Sequence, residues 1–173
     1  MTEKRQVEPW LRGTMQDVDA VQRAVLHALE LAEEDLARWC RNLSDVEINS
    51  RPAGIEPVAF HIRHIARSLD RLLSYAEGHA LSEAQLAALK SEMAPGATRD
   101  ALWAEFEQAL ISSTARIRAF PASALEAPRT VGKSQLPSTL GGLLVHVADH
   151  TQRHVGQAIT TAKTVVAQRS RSA

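Results

Sequence analysis

The sequence predicts an all-α protein: a four-helix bundle with at least one long crossover connection. Three observations point there. Ala, Leu, Glu, Arg and Gln, all good helix formers, dominate the chain. Aromatic residues are only 4% of it, and β-branched residues never alternate with polar ones for long. Finally, four separate stretches carry apolar residues at spacings of three and four, the period of a one-sided helix.

The first stretch covers residues 17–42, with Val18, Val21, Val25, Leu29, Ala32, Leu36 and Trp39 in one stripe. The second opens at Pro57, a residue suited to a helix start, and stops near Gly78. Its stripe is Val58, Ile62, Ile65, Leu69, Leu72 and Ala76. The third begins at Thr98, a predicted N-cap with Asp100 in the first turn, where negative charge is favoured. It carries Leu102, Phe106, Leu110, Ser113 and Ile117, and Pro121 ends it by disfavouring helix at Phe120. The fourth covers residues 138–167, through Leu140, Leu143, Leu144, Val147, Val155, Ala158, Ala162 and Val165. Between these, residues 43–56 and 122–137 read as loops, and residues 82–93 as a short helix with Ser82 as N-cap. Gly141 and Gly142 would let another helix approach closely. Four one-sided helices bury their stripes most simply against one another.

The organisation this implies is a tail over residues 1–14, poorly ordered, one domain over 15–168 and a frayed end over 169–173. At 173 residues the chain is long enough for one sizeable core. Lys+Arg and Asp+Glu number 20 each, which argues against a nucleic-acid partner, since such a binder shows a basic surplus. No apolar run approaches the roughly 18 residues of a membrane span. The N-terminus lacks the apolar stretch of a secretory signal, so a cytoplasmic location is expected. Cys40 stands alone, which leaves no intramolecular disulfide and reads as a small buried residue.

Five of the seven histidines fall in two helical windows. In TLGGLLVHVADHTQRHVGQAI, His146, His150 and His154 follow at intervals of four and so share one face. Thr151 follows His150 where a zinc-protease helix would carry glutamate. In EPVAFHIRHIARSLDRLL, His61 and His64 border the apolar stripe of another helix. Helical-wheel angle alone nominates His61 as the inward residue. A third imidazole joining an i, i+4 pair gives a three-nitrogen site with coordination positions left open, the arrangement of catalytic zinc centres. His27 and His79, without partners in sequence, are expected at the surface.

The segments from Pro57 to Asp70 and HVADHTQRHVGQ resemble the DinB/YfiT-like superfamily of metal-dependent four-helix-bundle enzymes, over roughly residues 18–162. The resemblance implies that His64, rather than His61, joins His150 and His154 in holding a divalent metal, with Gly156 and Gln157 completing the last-helix pattern. Gln157 and Asp149 are then candidates to hydrogen-bond a ligand imidazole and fix its tautomer. His61 and His146, each one turn from a ligand, are the catalytic candidates, since imidazole titrates near neutrality.

Three neutral imidazoles suit several divalent metals, with zinc or nickel expected here. The resemblance implies a thiol transferase or hydrolase, with a low-molecular-weight thiol as possible co-substrate, a small-molecule substrate and a homodimer. The alternative is a non-catalytic, metal-binding, dimerising stress-response bundle.

Overall fold

The computed structural model describes residues 7–172. The chain runs through α1 (Ala20–Cys40), α2 (Asp45–Ile48), α3 (Val58–Ala76), α4 (Glu83–Lys90), α5 (Arg99–Ala119), a hairpin of β1 (Pro128–Val131) and β2 (Leu136–Thr139), and α6 (Leu140–Ser172). Four long helices make the core. Helix α6 packs against α1 and α3, and α3 also packs against α5; α1 and α5 touch less extensively. The buried stripes meet as expected: Leu29 and Leu36 of α1, Ile62, Ile65 and Leu69 of α3, Phe106 and Ile117 of α5, and Leu144 and Val147 of α6 share one apolar cluster. Fully burying each such side chain contributes roughly 1.5–3 kcal/mol.

Local chemistry sets the helix limits. The Thr98 hydroxyl accepts from the Ala101 N–H, and Ser82 and Gln85 form a reciprocal capping box that starts α4. Helix α3 ends on Gly78 at φ 84°, a left-handed conformation that glycine adopts without strain. There the Gly78 and His79 N–H groups donate back to Tyr75 and Ser74, closing the carbonyls of the last turn. At the start of α6 the Thr139 hydroxyl accepts from the Gly142 N–H. Gly141 lies against the loop: its N–H donates to the Leu125 carbonyl, and an added Cβ would meet that oxygen at 3.2 Å. The close approach is to a loop, not to another helix.

Several readings are corrected. Residues 122–137 are not all loop, because Pro128–Val131 pairs antiparallel with Leu136–Thr139. Pro128 and Pro137 hid the strands, yet a two-stranded ribbon has only edges, where a missing N–H is tolerated. Residues 43–56 contain α2, one turn held by a Ser44–Glu47 capping box and too short for a periodic signal. His27 is buried, with Nε2 3.1 Å from the Thr14 hydroxyl; His79 is exposed.

Residues 1–6 of the expected N-terminal tail lie outside the described residues. From Pro9 onward the tail is pinned: Pro9–Leu11 form a 3-10 turn, and Arg12 pairs with Glu30 and Glu34 of α1. At the other end α6 continues to Ser172, and Arg169 reaches Glu47. Cys40 is buried, which pushes its thiol up to about 12. Among the described residues, no helix is long and apolar enough to cross a membrane.

Candidate metal centre

Packing of α3 against α6 brings the two histidine windows together. His64, His150 and His154 each offer a nitrogen within 4.8 Å of the other two. His61 is the more deeply buried of the α3 pair at 4% exposure, as the wheel angle implies, but His64 is the residue that completes this group. His61 lies behind it, with Nδ1 3.1 Å from Nδ1 of His154. Phe60 stacks on His64, ring centroids 5.3 Å apart.

Polar neighbours on the Nδ1 side orient two of the rings. The His64 Nδ1 lies 2.6 Å from Glu92 Oε2. A carboxylate only accepts, so Nδ1 carries a proton and the ring turns Nε2 away from Glu92. Ser68 donates its hydroxyl to the Ile65 carbonyl and lies 3.4 Å from His150 Nδ1. With its proton on the Ile65 carbonyl, the Ser68 oxygen is placed to accept from His150 Nδ1, and His150 turns its Nε2 toward that of His64. Those two Nε2 atoms stand 3.2 Å apart. Two ring nitrogens face one another at that separation when a proton or a metal ion lies between them. Two nitrogens on a tetrahedral zinc would be about 3.3 Å apart, so the donor set fits such an ion.

Burial favours the neutral form, the one that can ligate, for His150, His154 and His61. Burial, then the neighbouring His154 and His64, pushes His150 down to about 4. Burial and His64 do the same to His154, also to about 4. Burial, His154 and His64 bring His61 to about 4. For Glu92, burial acts to raise the carboxyl, but hydrogen bonds from His64 and Arg71 outweigh it and hold it below its ordinary value.

Glu92 is the residue that sequence reasoning missed. It is 4% exposed and sits in the turn after α4, outside any periodic stripe. Arg71 Nη1 donates to its other oxygen at 2.6 Å. Arg63 Nη1 clamps the same turn by donating to the carbonyls of Glu92 and Ala94 at 3.0 and 2.9 Å. The one available signal was its acidic side chain near the end of the short helix expected over residues 82–93, and many exposed residues share that.

The remaining candidates are placed apart from the group. Asp149 is exposed and pairs with Arg153, with His146 Nδ1 3.8 Å away. His146 is exposed, its ring centroid 5.5 Å from that of His150. Gln157 is exposed and, among the described residues, makes no hydrogen bond to a ligand imidazole; it lines a cavity of about 540 Å³ together with His61, Arg153 and Gly156.

A helical bundle with imidazoles from two facing helices converging beside an open cavity defines a class: bundle proteins with a histidine-lined centre. The sequence profile of the DinB superfamily matches residues 28–158, and the chain belongs to that superfamily. No curated protein matches the chain.

Proposed function

We propose that the protein is a divalent-metal-dependent enzyme whose His64, His150 and His154 hold the ion, zinc or nickel, and which activates a small thiol or water for attack on a small-molecule electrophile. One observation carries this reading: the Nε2 atoms of His64 and His150, each ring with a polar neighbour on its Nδ1, face one another at 3.2 Å. An ion bound there supplies Lewis acidity, which makes water or a thiol nucleophilic near neutral pH. Glu92 orients His64. In the same reading His154 donates from Nδ1 to His61, so His61 acts by positioning a ligand. The adjoining cavity, which reaches His61 and Gly156, supports small-molecule chemistry over a closed structural site. The homodimer implied by the superfamily resemblance is part of the proposal, and light scattering tests it.

Metal analysis of untagged protein is the direct test. Near-stoichiometric metal is expected in the parent, with loss in His64→Ala and His150→Ala and retention in His61→Ala. A metal-free parent overturns the reading, as does retention in His64→Ala with loss in His61→Ala. Chelation should leave the helical circular dichroism intact; unfolding on chelation would favour a purely structural ion.

A further inference from the structure

We propose, resting on the reading of the centre just given, that the cavity beside the histidines takes an uncharged, apolar portion of the small-molecule substrate, and that Gly156 is the residue that makes room for it. Helix α6 carries three glycines, and two of them have a packing reason. A Cβ at Gly141 would meet the Leu125 carbonyl at 3.2 Å, and one at Gly142 would meet the Ser138 and Thr139 hydroxyls at 3.2 Å. At Gly156 a Cβ would meet nothing within 4 Å, and the backbone is not left-handed. Yet this glycine sits in the interior of a 33-residue helix, where glycine in place of alanine lowers the folding equilibrium by about two- to fivefold. A local rule broken without a packing return is expected at a functional position.

Gly156 opens onto the cavity of about 540 Å³, within the range of small-ligand pockets. The cavity follows α6 from Arg153 to Thr161, about 12 Å of helix. His61 belongs to the same wall, with its Nδ1 3.1 Å from that of His154, so a molecule lying there is one ring away from the centre. The wall selects an uncharged occupant. It carries one acidic and one basic side chain, Glu56 and Arg153, and each is already paired with a residue outside the cavity, Arg51 at 3.0 Å and Asp149 at 2.9 Å. The Thr160 and Thr161 hydroxyls are also committed, donating to the carbonyls of Gly156 and Glu56. What stays open to a ligand is the Ile55 side chain, 41% exposed, the bare backbone at Gly156 and the neutral Gln157 carboxamide. An apolar group gains there by leaving water. A charged one would give up its hydration and find each counter-charge taken.

Hexanol, hexanoate and hexylammonium are titrated into the purified protein while backbone amide shifts are followed by NMR. Hexanol is expected to perturb the amides of Ile55 and Thr160 saturably, and at least about fivefold more tightly than either ion. Gly156→Leu, which fills the room and alters no charge, should abolish that response. Gly156→Ala asks whether the glycine serves the fold: it should raise Tm by about 1–4 °C while weakening hexanol. The titration is repeated in His64→Ala, where the response should persist because the chain lies against the wall and not on an ion. No saturable hexanol response, equal binding of either ion, a response that survives Gly156→Leu or disappears in His64→Ala, or a fall in Tm for Gly156→Ala would each overturn the proposal. A metal-free parent that binds hexanol removes the metal-dependent reaction and leaves the apolar site standing. A metal-loaded parent that ignores hexanol removes the site alone.

Discussion

Helix α3 presents two faces of opposite character. Toward α6 it carries His61 and His64, whose rings meet other imidazoles. Toward α4 and α5 it carries Arg63, Arg67 and Arg71, one per turn, each bonded to groups from elsewhere in the chain. The two faces join at a single residue. Glu92 takes His64 on one oxygen and Arg71 on the other, at 2.6 Å each. The histidine face carries the three-imidazole group, and the arginine face fixes the carboxylate that orients His64. A centre of this kind depends on its supporting shell for ring orientation as well as on its ligands.

Cutting that joint is expected to have the largest effect on stability. Glu92→Ala leaves Arg71 as a buried charge without its partner, a change that typically costs about 3–5 kcal/mol. Urea denaturation should show that loss, together with weakened metal binding. A loss below about 1 kcal/mol would mean that water replaces the carboxylate freely and that the two faces are not coupled. Glu92→Gln separates orientation from charge. The amide oxygen can still accept from His64 or from Arg71, so the fold should hold better than in the alanine variant. Metal affinity should nevertheless fall by about 10–100-fold, the usual effect of altering a ligand's outer partner, as read by competition with a chromophoric chelator. Arg67→Ala belongs to the partly exposed rim of the same face, where its pair with Glu105 contributes about 0.2–1 kcal/mol. If it costs as much as Glu92→Ala, burial is not what distinguishes the two contacts.

The same contrast explains what could be read in advance. The four long helices and their stripes were legible because helical period writes burial into residue spacing, as for Ile62, Ile65 and Leu69. His150 and His154 were legible because a four-residue interval places them on one face whatever the tertiary structure. The choice between His61 and His64 was not open to periodicity. Burial and ligation are different properties, and the more buried ring is the one behind the group. Glu92 was illegible because its position depends on Arg63 and Arg71 folding a turn back over α3, a long-range contact without local pattern. The hairpin was missed for a related reason. Pairing of Thr130 with Pro137 is a property of two segments, and the prolines that mark each segment read as breakers alone.

A second arginine–carboxylate contact, at the surface, gives the smallest expected effect and the control for the buried one. Arg12 donates to both Glu34 oxygens at 2.6 and 2.7 Å, tying the N-terminal segment to α1. The hydrogen bond from Arg12 holds the Glu34 carboxyl below its ordinary value. Because the folded state depresses this group, the contact stabilises the protein fully above the unfolded value and loses that contribution as pH falls through the folded one. Arg12→Ala should therefore lower Tm slightly at pH 7, and the difference from the parent should shrink as pH drops below about 4.5. High salt should shrink it too, since exposed charges are screened. Equal differences at pH 7 and pH 3 would mean that Arg12 acts through packing of its stem, with the ion pair contributing nothing.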